Sequence, residues 1–279
     1  MSNVFDVIRK SGAFDFGEFP ETQEVGKELP AVAKLVLEAP VLLPTTASRV
    51  LPLRVSTTTP IFPFEDANSV AAEQYRIVRT KILHHPRSPK VIAISSASSG
   101  DGKTVTSINI AAALALKQGI KVLLIDADLR RRSVAEMLGI AISPGLSEVL
   151  CGLSSIESAL VQAEQFPNLS ILTAGEVQAS PVELLDSDHL RVLLNQMRQQ
   201  FHYIILDATP VAAVADYELL QMACDGIIAI ARPGHTDRST CMNLFRTVPK
   251  EKLIGVVLNC VEDWWLWRTP QYGYSSKKP

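Results

Sequence analysis

Between Val91 and Thr104 a β-branched apolar run, Val91-Ile92-Ala93-Ile94, feeds a loop of small residues, Ser95-Ser96-Ala97-Ser98-Ser99-Gly100-Asp101-Gly102. The loop ends in Lys103-Thr104 and opens a helix-period stretch. Nothing else in the chain restricts the fold as tightly, because strand, small-residue loop and helix in that order form a cradle for phosphate groups. Successive backbone N–H groups and the positive end of the helix face a phosphate chain; the lysine reaches its outer phosphates and the threonine hydroxyl holds Mg²⁺. A bound nucleoside triphosphate and Mg²⁺ are therefore expected, with Ser99, Gly100, Asp101, Gly102, Lys103, Thr104 and Val105 around the phosphates. Ala97 stands where the usual pattern has its first glycine, and a methyl group is tolerated there while φ stays negative.

Composition narrows the class. The 279 residues are 47% hydrophobic with a formal net charge of −2, enough for a sizeable core and without the basic footprint of a nucleic-acid partner. Cys151, Cys224, Cys241 and Cys260 have no paired spacing, which points to a reducing compartment rather than a disulfide frame or zinc site. There is no signal-peptide pattern and no apolar run near the ~20 residues that span a bilayer. The chain is thus expected in the cytoplasm with no transmembrane segment of its own.

Organisation changes once, near residue 64. From Ser11 to Phe64 the chain carries Pro20, Pro30, Pro40, Pro44, Pro52, Pro60 and Pro63, a Ser/Thr cluster at 56–59, and no sustained periodicity. Residues 1–64 are therefore expected to be a largely disordered tail and linker. At its start Val4, Phe5, Val7 and Ile8 are spaced as in a short amphipathic helix, a docking peptide or a frayed terminus. From Ser69 on, apolar runs at 90–95, 121–126, 169–173, 202–207, 226–231 and 253–259 alternate with helix-period stretches. This rhythm predicts an α/β fold over 65–263, a mostly parallel twisted sheet with helices on both faces and ligands at the strands' carboxyl ends. Residues 264–279 are expected to be a flexible tail. The histidines show no ligand spacing and read as loop or surface residues.

Three strand ends carry further chemistry. The second run ends Ile125-Asp126-Ala127-Asp128-Leu129-Arg130, and carboxylates at the mouth of an apolar strand need a cation, which a phosphate loop brings as Mg²⁺. The fourth ends Leu206-Asp207, an acid placed as a metal ligand near the γ-phosphate. The sixth ends Leu258-Asn259, an amide able to read an adenine edge with donor and acceptor.

These segments together resemble the bacterial tyrosine autokinases of exopolysaccharide and capsule synthesis, within the P-loop NTPase superfamily. Glu73-Gln74-Tyr75-Arg76-Ile77-Val78-Arg79 is similar to that family's Glu-x-x-Arg-x-x-Arg helix, and Ser180-Pro181-Val182-Glu183-Leu184-Leu185 to its Pro-x-Glu-Leu-Leu segment. The opening Ser2–Lys10 looks like that of stand-alone members. The resemblance implies ATP as the nucleotide and C-terminal tyrosines, here Tyr272 and Tyr274, as phospho-acceptors on a neighbouring subunit of a ring. It implies a ring interface at Glu73, Arg76 and Arg79, which fall within about 120° of one helical face. A membrane-embedded polysaccharide co-polymerase or adaptor is the implied partner, recruiting the chain to the inner face of the membrane. In the implied chemistry Lys103 neutralises developing charge, and Thr104, Asp126 and Asp207 hold Mg²⁺. Asp128 or Asp126 takes the proton of the incoming phenol, while Arg130 and Asn259 contact the nucleotide. As a cation on a loop read as exposed, Lys103 is expected to be replaceable by Met with little loss of stability.

The chain departs from that family in three places. Its tail has two tyrosines rather than a long run, Ala208-Thr209-Pro210 stands where Thr-Pro-Pro is usual, and Trp264-Trp265-Leu266-Trp267 precedes the tail. The tryptophan cluster reads equally as a docking patch or as a tail folded on its own domain. Two rival functions stay open: a nucleotide-dependent scaffold without kinase activity, favoured by the short tail, and a positioning ATPase. The latter carries a second lysine five residues before the loop lysine, where this chain has Ser98.

Overall fold

The computed structural model describes residues 49–55, 60–62, 69–176, 180–211 and 215–261. The segment Met1–Lys10, the Trp264–Trp267 cluster, Tyr272 and Tyr274 lie outside the described residues. Among those described, the strands are β1 (Arg49–Leu51), β2 (Val91–Ser96), β3 (Val122–Asp126), β4 (Val161–Ala163), β5 (Leu169–Leu172), β6 (Tyr203–Asp207), β7 (Gly226–Ala231) and β8 (Leu253–Leu258). They form one 8-stranded sheet in the order β1-β4-β5-β3-β6-β2-β7-β8. Every neighbouring pair is parallel except β4 with β5.

The apolar runs are continuous because both faces of the sheet are covered. Successive side chains of a strand point to opposite faces. Val91, Ala93, Leu123, Ile125, Ile204 and Leu206 accordingly join one core cluster, and Ile92, Ile94, Val122, Leu124 and Ile205 join the other. The second cluster is covered by α1 (Val70–Leu83) and α2 (Lys103–Ala115). The first is covered by α4 (Leu146–Leu150), α6 (Pro181–Leu185), α7 (Asp188–Gln200) and α8 (Ala215–Ala223), the short α3 (Ser133–Leu138) and α5 (Ile156–Ala159) lying between the central strands and the β4 edge in sequence; α9 (Arg238–Thr247) precedes β8. Helix α2 is buried at every position but Val105, which its small Ala111-Ala112-Ala113 stretch permits between α1 and the sheet. The expected mostly parallel sheet with helices on both faces is the fold observed.

The proline-rich stretch is corrected in part. Arg49–Leu51 is an edge strand paired in parallel with Val161–Ala163, and Leu53 and Ile61 are buried in the second core cluster. Two side-chain amides bind this segment where prolines and irregular backbone prevent a ladder. Gln165 exchanges bonds with Leu53 N–H and C=O, both at 3.0 Å. Asn109 on α2 accepts from Phe62 N–H at 2.8 Å and donates to Pro60 C=O at 2.9 Å. The boundary expected near residue 64 therefore cuts through chain that packs on the domain.

At the amino ends of the sheet, Asp225 accepts from Lys90 N–H at 2.9 Å and Val91 N–H at 2.8 Å and pairs with both terminal nitrogens of Arg198. Burial alone would raise its pKa, but the Arg198 bonds and the two N–H donors together hold it below the usual carboxylate range. A lowered carboxylate stabilises the fold above its unfolded pKa near 4, and that contribution is lost as pH falls through the folded value. Asp225→Ala should cost about 1–3 kcal/mol at pH 7 in urea unfolding, with the difference from the parent chain shrinking below about pH 4.

Candidate active site

The strand–loop–helix feature folds as its residue types require. Gly100 and Gly102 sit at φ +88° and +86°, left-handed values open to glycine at low cost. Gly102 also has no room for a side chain: a Cβ there would meet Asn259 Nδ2. The backbone N–H groups of Gly102 through Val105 have no protein acceptor among the described residues, as the first donors of a helix must. They are available to phosphate oxygens.

Register brings the acids together. In the β3–β6 pairing Asp126 lies opposite Asp207, so two carboxylates leave adjacent strand ends beside the loop. Asp126 and Asp207 are 0% exposed and Asp128 is 2% exposed. Lys103 Nζ stands 3.0 Å from Asp207 Oδ1 and 3.3 Å from Asp128 Oδ2. Thr104 Oγ1 donates to Asp207 Oδ2 at 2.7 Å. Ser107, one turn into α2, donates to Asp207 Oδ1 at 2.9 Å, a contact that the sequence motif does not announce because Ser107 lies beyond it. Asp126 accepts from Asp128 N–H at 3.2 Å and, at the start of α3, from Val134 N–H at 3.0 Å. Burial first, and Asp207 second, push the Asp126 carboxyl up to about 8, against the pull of Val134 N–H and Lys103. Asp128 Oδ1 accepts from Arg131 N–H at 3.2 Å, whereas Oδ2 touches Lys103 but has no hydrogen bond.

Mg²⁺ fits these residues. Three buried carboxylates face a single lysine, one of them carries an oxygen without a hydrogen bond, and another is pushed toward protonation. All three observations mark a deficit of positive charge that a divalent cation fills. Among the described residues no group of His, Cys, Asp and Glu is arranged to hold a metal alone. That suits Mg²⁺, which takes one or two carboxylates and completes its shell with phosphate and water.

Other expected site residues are placed differently. Asn259 donates to Asp101 C=O at 2.9 Å and its carbonyl accepts Cys260 N–H at 2.9 Å, so this amide clamps the phosphate loop rather than standing free for a base edge. Asp101 is 0% exposed and binds Ser98 N–H at 2.7 Å, bracing the loop from within. Arg130 is held by the buried Asp216 through two bonds of 2.7 and 3.0 Å, a partner too distant in sequence to be read there. Glu73 and Arg76 form an exposed ion pair at 3.0 Å within α1. Arg79 turns inward to Ala113 C=O at 3.2 Å, so the three do not present a shared charged face. His235, read only as a loop residue, places Nε2 3.0 Å from Ser99 C=O. A groove of about 530 Å³ lined by Arg232, Pro233, Gly234, His235, Leu258, Cys260 and Val261 opens beside it.

The sheet, the loop and the acids at the strand ends define a P-loop nucleotide-binding domain, and the family model described as an AAA domain matches residues 89–250. The chain is 34% identical over 222 residues to tyrosine-protein kinase YwqD of Bacillus subtilis, covering 78% of this chain and 92% of that one. It is 33% identical over 195 residues to tyrosine-protein kinase CpsD of Streptococcus pneumoniae serotype 4, covering 68% and 84%. The solved VpsO kinase domain superposes with a TM-score of 0.63 at 31% identity, over 69% of this chain and 97% of that one. The chain belongs to the bacterial tyrosine-protein kinases of the capsule and exopolysaccharide family. It is a protein-tyrosine kinase built on a P-loop domain. Among the described residues no helix is long and apolar enough to cross a membrane.

Lys103 corrects the expectation of an exposed loop cation, being 7% exposed. Burial works to lower its pKa, but Asp207 and Asp128 outweigh that and raise it. A raised lysine keeps its stabilising charge until pH climbs through the folded value, so the pairing holds across the neutral range. Removing it leaves buried carboxylates uncompensated. Lys103→Met should cost roughly 3–5 kcal/mol at pH 7.5 in Mg²⁺-free buffer, measured by chemical denaturation against the parent chain.

Proposed function

We propose that the chain is an ATP- and Mg²⁺-dependent autokinase that passes the γ-phosphoryl group of ATP to Tyr272 and Tyr274 of a neighbouring subunit, and thereby regulates polysaccharide polymerisation and export. The observation that carries this reading is the buried Lys103–Asp207–Thr104 cluster at the mouth of the phosphate loop, with Asp128 Oδ2 beside it and free of hydrogen bonds. In this reading Gly102 to Val105 N–H groups hold the phosphates. Lys103 turns from its acids to the transferring group, and Thr104 and Asp207 hold the metal, directly or through water. Mg²⁺, when bound, supplies charge neutralisation at the phosphates. Asp128 is the better proton acceptor of the two Asp-x-Asp acids, since both oxygens of Asp126 already take backbone N–H groups. A phenol of pKa about 10 needs such a base at neutral pH.

Tyrosines of the folded domain are poor acceptors by comparison. Burial pushes the Tyr217 phenol far up and leaves it 1% exposed, and burial likewise raises Tyr75 despite hydrogen bonds with Asn109 and Thr106. The two-tyrosine tail favours one second reading, a nucleotide-binding scaffold that assembles with a membrane-embedded partner without transferring phosphate. Incubation of wild type and of Tyr272→Phe/Tyr274→Phe with ATP, Mg²⁺ and the cytosolic segment of that partner, followed by mass spectrometry, separates the two. The autokinase gives phosphate on the tail of the wild type, at least about 100-fold above the double variant, with ATP affinity unchanged. No phosphate on either tyrosine supports the scaffold, and phosphate on Tyr75 or Tyr217 defeats the tail as acceptor.

Ring assembly through α1 is part of the same reading. Because Arg79 already serves Ala113 within the subunit, the exposed Glu73–Arg76 pair is the portion free to exchange partners. Arg76→Ala should therefore shift the protein from oligomer to monomer in size-exclusion light scattering, and an unchanged mass would leave α1 to solvent.

A further inference from the structure

The loop joining β7 to α9 holds the phosphate loop along its length, although the nucleotide motifs assign it no role. Thr236 Oγ1 donates to Asp101 Oδ1 at 2.7 Å and accepts from Arg232 N–H at 2.9 Å. The other oxygen of Asp101 takes Ser98 N–H at 2.7 Å. Hydroxyl, carboxylate and amide thus form one chain running from β7–α9 into the start of the phosphate loop. His235 Nε2 at 3.0 Å from Ser99 C=O and Arg232 Nη1 at 3.4 Å from Gly100 C=O hold the next two residues.

The chemistry of Thr236 is specific. Its single hydroxyl proton goes to the carboxylate and a lone pair to the amide, a pairing that serine can repeat and valine, of nearly the same shape, cannot. The loop needs such a hold. Left-handed glycines at 100 and 102 are permissive positions that adopt many other backbone conformations when nothing constrains them. A loop already ordered in its anion-receiving shape binds more tightly, because the ordering cost does not fall on the binding step.

We propose that Thr236 is a positioning residue for the nucleotide, acting through Asp101 to keep the phosphate loop in its anion-receiving form. The inference rests on the nucleotide-binding reading of that loop and adds to it the element that prepares the site.

Calorimetric titration of the purified chain with Mg²⁺·ATP, together with thermal unfolding with and without the nucleotide, tests it. Thr236→Val should weaken ATP by roughly 10-fold or more, since a hydrogen bond to a charged group is lost. Thr236→Ser should stay within about 3-fold of the parent chain, because the hydroxyl returns. The gain in melting temperature on adding ATP should shrink in Thr236→Val and recover in Thr236→Ser. In an Asp101→Ala background, Thr236→Val should add almost nothing, since the two act as one unit. Thr236→Val that melts lower yet binds ATP within about 2-fold of the parent would overturn the proposal and make Thr236 a structural brace only. Additive losses in the double variant would also overturn it. If the parent chain itself binds no ATP, the nucleotide-binding reading fails first and this inference with it.

Discussion

The ion pairs of Lys103 with Asp207 and Asp128 are the constraint around which the carboxyl end of the sheet is arranged. Parallel pairing of β3 with β6 sets Asp126 against Asp207, and covering both faces of the sheet removes water from them. Charges so placed are expensive unless matched. The lysine supplies one positive charge, Thr104 and Ser107 supply hydrogen bonds, and the acids remain in excess. A site with surplus buried negative charge beside free helix N–H groups is prepared for a metal ion carrying phosphates. The same shortage of positive charge makes Lys103 a stabilising residue as well as the lysine proposed to meet the phosphates, which a motif read as an exposed loop does not suggest.

Around that centre the work is divided between two elements on the far side of the sheet. Asn259, at the end of β8, fills the space that the absent side chain of Gly102 leaves and bonds the Asp101 carbonyl. The β7–α9 loop grips the Asp101 carboxylate. Asp101 therefore sits between two supports, and its side chain points into the protein while the N–H groups that follow it are left for the ligand. The arrangement explains how a loop whose Gly100 and Gly102 are open to many backbone conformations is held in one shape.

The amino-terminal stretch teaches a different lesson. Prolines and the lack of a period of 2 or 3.6 argue against regular structure over 11–64, yet Arg49–Leu51 pairs as an edge strand with Val161–Ala163. The segment is nonetheless tied to the domain, through the side-chain amides of Gln165 and Asn109. Those partners are far away in sequence and carry no mark of their role. Periodicity reports packing faces; it is blind to a chain that is held by side-chain amides from elsewhere.

The sequence by itself determined six of the eight strands seen among the described residues, missing the short edge strands Arg49–Leu51 and Val161–Ala163, together with the phosphate loop and the acids at the strand ends, because each depends on local chemistry: apolar β-branched residues, glycines before a Lys-Thr pair, a carboxylate at the end of an apolar run. It also carried the kinase family through several short motifs in order. Only the tertiary structure decided which of these residues meet. Register put Asp126 opposite Asp207, packing made Lys103 an ion-pair partner of both Asp207 and Asp128, and crossovers brought Asn259 and Thr236 against Asp101. The same long-range contacts took Arg130 to Asp216 and Arg79 to Ala113. Spacing along the chain fixes which way a side chain leaves its own element, whereas its partner is set by how distant elements pack, and that is where local chemistry stops being informative.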